Sequence, residues 1–208
     1  MNVEVTVATA ADMRALGRRL AAVLGAGDLV ILSGPLGAGK TTLTQGIGEG
    51  LGIRGPVTSP TFVIARVHPP LAGVLRSGAG PGWRSGGRDS GHAGGHAGGQ
   101  IGPRPALVHA DAYRLGSALE LDDLDLDADT ASSVTVVEWG EGLAEGLADD
   151  RLEIRIVPDP GGDADPGEVP ADPLAEEPQS TPRTVLIRGV GGRWQDVELP
   201  PAELGDRL

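Results

Sequence analysis

Residues 34–41 have the types and spacing of a loop that binds phosphate groups. The run from Gly34 to Thr41, GPLGAGKT, matches the pattern G-x-x-x-x-G-K-[S/T] in full. Its three glycines allow successive N–H groups to face one concavity, and the N-terminus of a following helix adds partial positive charge. Lys40 would supply a charge for the β- and γ-phosphates, and the Thr41 hydroxyl would bind Mg²⁺. The pattern therefore predicts a nucleotide-binding site that uses magnesium.

Two carboxylates stand at the ends of apolar runs further along the chain. Asp111 ends ALVHAD (106–111), and Glu138 ends VTVVE (134–138). Because the carboxyl ends of parallel strands meet at one edge of a sheet, we expect both side chains beside the phosphate loop. One would bind Mg²⁺ and the other would position the attacking water, and the residues alone leave open which does which.

The elements that must position these residues alternate between strands and helices up to residue 150. Hydrophobic patterns predict strands at 3–7, 29–33, 61–67, 106–111, 134–139, 151–157, 183–189 (RTVLIRG) and 194–200 (WQDVELP). Helices are predicted after a Thr9–Asp12 N-cap pair, at 40–51, at 117–131 and at 141–147. This order predicts an α/β fold: a P-loop NTPase-like, mostly parallel sheet with helices on both faces and a C-terminal edge hairpin.

Two segments of unusual composition divide the chain. Residues 69–105 hold 12 of the 34 glycines, and residues 158–182 hold seven prolines and seven carboxylates without Lys or Arg. Neither has the apolar content that offsets the entropy of ordering, so we expect both to be flexible. The predicted organisation is a P-loop ATPase domain at 1–157 that contains the Gly-rich insertion 69–105. An acidic Pro-rich linker at 158–182 and C-terminal strands with a tail at 183–208 follow.

Composition narrows the possible partners and compartment. The formal charge of −12 argues against nucleic-acid contact over the whole surface, so any RNA is expected to be held by a partner protein. The absence of cysteine excludes disulfides and thiolate metal sites. The first 20 residues lack the apolar core of a signal peptide, and no apolar run approaches the ~20 residues that span a bilayer. We therefore expect a cytoplasmic protein with no membrane contact.

Several functions share a phosphate loop, and the sequence favours one of them. The chain has no Asn-Lys-x-Asp segment that would read guanine, which favours ATP over GTP. It also has no evident Arg-rich lid flanked by substrate motifs, although the arginines of 69–105 keep a small-molecule kinase as an alternative. A second alternative is a nucleotide-dependent binding switch that does not hydrolyse. We interpret His92 and His96 in the run HAGGHAGG as linker, because so many glycines disfavour a helix.

Three further stretches follow the loop, namely TSPTF (58–62), HADAYRL (109–115) and VEWGEGL (137–143). In this order the motifs resemble the TsaE (YjeE) family of bacterial ATPases, over about residues 5–157. The resemblance implies a Mg²⁺-dependent ATP hydrolase, weak without partners, that is required for N6-threonylcarbamoyladenosine at position 37 of tRNA. The implied partners are TsaD and TsaB, whose multiple turnover the ATPase would support. It would meet tRNA only through that complex.

The resemblance also implies roles for individual residues. Lys40, Asp111 and Glu138 would be catalytic, with Asp111 as the aspartate of the D-x-Y-R-L motif. Thr41 and Glu138 would be the Mg²⁺ ligands, and Trp139 matches the family's Trp beside the metal-binding Glu. With the loop pattern and a switch-like Ser-Pro-Thr segment at 59–61, the predicted ATP contacts are Gly34, Leu36, Gly37, Ala38, Gly39, Lys40, Thr41, Thr42 and Thr61. Tyr113 and Arg114 are interpreted as structural.

Overall fold

One seven-stranded sheet organises the part of the chain that the computed structural model describes, residues 1–60, 64–71, 104–115, 117, 120, 131–158 and 182–199. Its strands are β1 (Asn2–Val7), β2 (Leu29–Ser33), β3 (Ala65–His68), β4 (Ala106–Asp111), β5 (Ser133–Glu138), β6 (Arg151–Pro158) and β7 (Arg183–Val190). The α-helices within these residues are α1 (Ala10–Val23) and α2 (Lys40–Leu51), and short 3₁₀ turns lie at Glu145–Leu147 and Gly192–Trp194. Neither helix is long and apolar enough to cross a membrane.

The strand order across the sheet is β1-β7-β6-β2-β5-β4-β3. The four strands β6, β2, β5 and β4 run parallel to one another, and β7, β1 and β3 are antiparallel to their neighbours. All residues of β5 and all but the last of β2 are buried, as expected of apolar strands covered on both faces. The predicted P-loop-like, mostly parallel sheet is therefore confirmed.

Both α-helices of the described residues pack on one face of the sheet. Leu20 of α1 and Leu43 of α2 join sheet residues such as Val30 in the main core. On the opposite face, the 143–148 turn region packs over Ile31 and its neighbours. The predicted helix at 141–147 is a series of turns that ends in a 3₁₀ turn. The predicted helix at 117–131 lies almost entirely outside the described residues.

The last strands occupy different places from those predicted. A hairpin of C-terminal strands was predicted at the edge of the sheet. The edge strand is instead β1, which pairs with β7, so β6 and β7 lie inside the sheet. The predicted strand WQDVELP was wrong for its described residues, which contain no strand. The 3₁₀ turn Gly192–Trp194 instead folds back and buries the Trp194 side chain completely.

Two strand boundaries are set by left-handed backbone conformations. Ile64 has a φ of 69°, so β3 begins only at Ala65, whereas the prediction was a strand from 61; residues 61–63 lie outside the described ones. Trp139 has a φ of 59° and ends β5 at Glu138, one residue earlier than predicted. A positive φ is incompatible with extended backbone, which explains both boundaries.

Glycines bring α1 and α2 into very close contact. A Cβ atom at Gly17 would collide with the carbonyl oxygen of Leu43, and one at Gly46 would collide with the carbonyl oxygen of Arg14. A Cβ at Gly50 would lie 2.5 Å from the Cβ of Ala21. Small residues four apart on each helix thus share one face and form the contact. This contact fixes α2, whose first residue is Lys40, against α1.

The N-terminus of α1 carries the predicted cap. The Thr9 hydroxyl accepts a hydrogen bond from the Asp12 N–H (3.0 Å), and the Asp12 carboxylate accepts one from the Thr9 N–H (3.0 Å). This reciprocal capping box satisfies two N–H groups that a helix start leaves without partners.

We expect the Thr9→Ala substitution to lower the free energy of unfolding by about 1 kcal/mol, because alanine cannot accept the Asp12 N–H. Urea denaturation of the variant and the wild type measures the difference. Thr9→Ser is the control, since it keeps the hydroxyl and should stay close to wild type. Equal destabilisation by Thr9→Ser and Thr9→Ala would show that the capping hydroxyl contributes nothing to the free energy of unfolding.

Candidate nucleotide-binding site

The loop between β2 and α2 has a backbone that only glycine allows. Gly34 has a φ of 141°, and a Cβ there would lie 2.5 Å from the carbonyl oxygen of Ile156 on β6. Gly39 adopts a left-handed conformation at the start of α2, and no described side chain caps this helix. The first N–H groups of α2 therefore face the loop, where their partial positive charge favours an anion.

Lys40 lies at the mouth of this loop and is the only lysine in the chain. Its Nζ donates hydrogen bonds to the carbonyl oxygens of Gly34 (2.8 Å) and Pro35 (2.9 Å). The same Nζ lies 3.6 Å from the centre of the Trp139 ring, a cation–π contact. Burial lowers the pKa of Lys40, and the carboxylates of Glu138 and Asp111 oppose that shift. A positive charge is thus held between the loop and two carboxylates.

Thr41 and Glu138 bring two oxygen atoms together beside Lys40. The Thr41 hydroxyl donates to Oε2 of Glu138 at 3.1 Å. Two adjacent ligands of an octahedral Mg²⁺, each about 2.0–2.1 Å from the metal, are about 3 Å apart. The hydroxyl and carboxylate oxygens are also the ligand types that Mg²⁺ takes. The pair therefore fits a magnesium ion in both chemistry and spacing.

Asp111 is placed next to Glu138 by the register of the sheet. The parallel strands β4 and β5 pair Asp111 directly with Glu138, and both side chains are buried. Oδ1 of Asp111 accepts a hydrogen bond from the Tyr113 N–H at 3.0 Å, which fixes the carboxylate. The structure thus brings together Lys40, Thr41, Asp111 and Glu138, and their roles stay predictions.

His109 is a part of the site that the sequence reasoning missed. Its Nε2 lies 2.7 Å from Oε1 of Glu138, and its side chain is fully buried. A second buried histidine, His68 on β3, lies 6.4 Å away between ring centres. Burial lowers the pKa of His68, and the nearby His109 and Arg66 lower it further. The available signal was the spacing of His109 and Asp111, since residues two apart on a strand share a face.

Trp139 covers the site in a strained conformation. A left-handed φ is a genuine outlier for a bulky residue, and the surrounding structure must enforce it. The backbone N–H of Trp139 donates to the Leu32 carbonyl oxygen at 2.8 Å, and the centre of its ring lies 5.1 Å from the centre of the Tyr113 ring. These contacts hold the indole over Lys40. Such strain is typical of a functional position.

The other predicted contacts are distributed around the loop. Leu36 is 90% exposed at the loop tip, Ala38 is buried beneath it, and Thr42 follows on α2. Thr61 and the histidines at 92 and 96 lie outside the described residues. A cleft of about 420 Å³ opens beside the loop, lined by Gly34, Trp139, Arg155 and Val157 among others. A cleft of about 460 Å³ between α1, α2 and residues 53–57 contains none of the loop residues.

A glycine loop after a buried parallel strand, with Lys and Thr opening the next helix, defines the P-loop class of α/β proteins, and this fold suggests nucleotide binding. The family model "Threonylcarbamoyl adenosine biosynthesis protein TsaE" matches residues 7–75 and 97–163. The chain belongs to the TsaE family, as its motifs predicted.

Individual relatives agree with this assignment. The tRNA threonylcarbamoyladenosine biosynthesis protein TsaE of Streptomyces coelicolor is 49% identical over 188 residues, covering 90% of this chain and 97% of that protein. The protein of the same name from Mycobacterium tuberculosis (strain H37Rv) is 46% identical over 151 residues, covering 70% and 73%. The crystal structure of Bacillus subtilis YdiB is similar with a TM-score of 0.58 and 26% identity, covering 93% of this chain and 89% of that one.

Proposed function

We propose that this chain binds ATP with Mg²⁺ between the glycine loop and the ends of β4 and β5 and hydrolyses it. This hydrolysis would support the formation of N6-threonylcarbamoyladenosine in tRNA, the pathway for which its relatives are named. One observation carries the proposal: four polar side chains lie together beside the glycine loop, namely those of Lys40, Thr41, Asp111 and Glu138. Among them, Thr41 Oγ1 is only 3.1 Å from Glu138 Oε2. Lysine, hydroxyl and two carboxylates are the set that phosphoryl transfer to water requires.

Phosphate binding would fall to the loop and Lys40. The N–H groups at the start of α2 would donate to phosphate oxygens. Lys40 would exchange the carbonyl oxygens of Gly34 and Pro35 for the β- and γ-phosphate oxygens, which carry full negative charge. Because Lys40 is only 5% exposed, little water screens its charge, and the attraction is stronger than at a surface.

Two further groups would complete the chemistry. Thr41 and Glu138 would hold Mg²⁺, which supplies charge neutralisation on the phosphates when bound. Asp111, held at Oδ1 by the Tyr113 N–H, would orient the attacking water and accept a hydrogen bond from it. A carboxylate fixed in this way loses little orientational freedom when the water binds.

We propose TsaD and TsaB as partners that work with this chain in the cytoplasm. The formal charge of −12 fits a protein that leaves contact with tRNA to others. Turnover of ATP would be weak until the partners complete the site, as the family resemblance implies.

Reconstituted tRNA modification tests the proposal. TsaD, TsaB, threonylcarbamoyl-adenylate, tRNA and ATP are combined with and without this chain, and the modified nucleoside is counted per TsaD. We expect many turnovers with the wild type and about one turnover without it. The Glu138→Gln variant should behave like the omission, because it keeps the shape of the side chain and removes the charge that Mg²⁺ needs.

The matched control is Glu198→Gln, which removes an equal charge at an exposed position that is not part of the nucleotide site. It should support turnover like the wild type. Modification that proceeds equally without this chain would refute the proposed role. Phosphate that appears on a small-molecule acceptor instead of as free phosphate would identify a kinase.

A further inference from the structure

We infer that His109 is a positioning residue for Glu138, and that its hydrogen bond sets the affinity of the site for Mg²⁺. The inference rests on the proposed function, because it assigns a metal-supporting role within the same site. His109 would not contact the nucleotide or the metal. It would act through the Glu138 carboxylate alone.

The two oxygens of Glu138 have separate partners. Oε1 lies 2.7 Å from Nε2 of His109, and Oε2 accepts the Thr41 hydroxyl at 3.1 Å. The side chains of His109 and Glu138 are 0% and 4% exposed, so water does not compete for this contact. A short, buried hydrogen bond to a carboxylate is among the stronger interactions of this kind. His109 therefore fixes the rotation that directs Oε2 towards Thr41.

The second ring nitrogen indicates where the imidazole proton lies. Nδ1 of His109 is buried and has no hydrogen-bond partner among the described residues. A proton on Nδ1 would be a buried donor without an acceptor, which is strongly unfavourable. A proton on Nε2 meets a carboxylate at 2.7 Å. His109 thus donates to Glu138 through Nε2.

Lys40 is a second group that attracts the Glu138 carboxylate, so the orientation of the carboxylate depends on its restraint by His109. Burial lowers the pKa of Lys40, and the attraction between its charge and the Glu138 carboxylate opposes part of that shift. Within the described residues, Oε1 of Glu138 is nevertheless hydrogen-bonded to His109. Without the imidazole donor, Glu138 would be free to rotate towards Lys40. That rotation would withdraw one Mg²⁺ ligand and also occupy the lysine that the phosphates need.

Three substitutions separate the hydrogen bond from the bulk of the ring. The amide nitrogen of His109→Gln can reach the position of Nε2, whereas that of His109→Asn reaches only the position of Nδ1. His109→Leu fills the space without any donor. His109→Gln and His109→Asn introduce the same amide group at different distances from the backbone, so they remain a valid comparison even if His109→Leu prevents folding.

The readouts are binding constants of the purified protein, without turnover. Titration of a fluorescent ADP in EDTA gives the metal-free nucleotide affinity, and Mn²⁺ titration followed by electron paramagnetic resonance at saturating ADP gives the metal affinity. We expect His109→Asn and His109→Leu to weaken Mn²⁺ binding by about 10–100-fold, the usual effect of losing a partner of a metal ligand. Metal-free ADP affinity should change less than about twofold, and His109→Gln should keep most of the wild-type Mn²⁺ affinity.

The outcomes decide between the inference and its alternatives. Mn²⁺ affinity that is unchanged in His109→Asn and His109→Leu would overturn the role of His109. Equal losses in metal-free ADP binding and Mn²⁺ binding would also overturn it, and so would a His109→Gln variant that binds Mn²⁺ no better than His109→Asn, since His109 would then only support the fold. A wild-type protein whose ADP binding shows no coupling to Mn²⁺ would refute the proposed function itself, and this inference with it.

Discussion

Replacement of Lys40 by alanine is expected to reduce ATP hydrolysis by at least about 100-fold, the usual cost of removing one preorganised charge from a phosphoryl-transfer site. Lys40 is the only lysine of the chain, so no neighbouring ammonium group can take its place. Among the described residues, its Nζ hydrogen-bonds to two carbonyl oxygens of the loop and lies against one aromatic ring, none of them in the hydrophobic core, so the fold should survive the change. Phosphate release in the presence of TsaD and TsaB measures the effect.

The control for Lys40→Ala is Arg188→Ala. Arg188 carries the same charge, its side chain is 70% exposed, and it lies on β7 away from the glycine loop. We expect hydrolysis by Arg188→Ala to match the wild type. Both variants should unfold at the same urea concentration as the wild type. Normal hydrolysis by a folded Lys40→Ala protein would refute the assignment of the glycine loop as the phosphate site.

The Gly46→Ala substitution is expected to have the largest effect on stability. The new methyl group would meet the backbone of Arg14, which cannot move aside as a flexible side chain can. Alanine is favoured over glycine in a helix by about 1 kcal/mol. Overpacking of a close contact typically costs about 1–3 kcal/mol, and displacement of a whole helix adds to it. We expect the cost of displacing the helix to offset the gain in helix propensity, which leaves a net loss of about 1–3 kcal/mol in the free energy of unfolding, measured by urea denaturation.

Gly146→Ala is the matched control, because a Cβ at Gly146 would meet nothing within 4 Å. This variant should unfold within about 0.5 kcal/mol of the wild type. A Gly46→Ala protein as stable as Gly146→Ala would mean that α1 and α2 can separate freely. In that case the close contact would be incidental to the fold. The outcome also bears on nucleotide binding, since α2 begins with the residue that faces the phosphates.

The glycine loop and the strands around it could be predicted because their signals are local. The loop pattern spans eight residues, and β2 and β5 are apolar runs whose ends mark the edge of the sheet. The same reasoning placed Asp111 and Glu138 at one edge, and the structure pairs them. A motif and a burial pattern together were therefore sufficient for the fold class.

The remaining features depend on contacts between distant segments. The hydrogen bond from His109 to Glu138 requires the register of β4 against β5, which no local pattern encodes. The contact between α1 and α2 depends on glycines that lower helix propensity, and their pairing becomes visible only after the helices are docked. The left-handed φ of Trp139 arises because surrounding contacts override the preference of a bulky residue.

The position of β1 has a consequence for how the chain folds during its synthesis. In the described sheet β1 hydrogen-bonds only to β7, so that Val7 pairs with Arg183. Of the seven strands, the one that is synthesised first therefore cannot pair until the one that is synthesised last has been made. Until Arg183–Val190 emerges, β1 has no partner and β6 presents an open edge that can pair with other chains. A nascent chain halted before β7 would hold every residue of the nucleotide site and still be prone to aggregation.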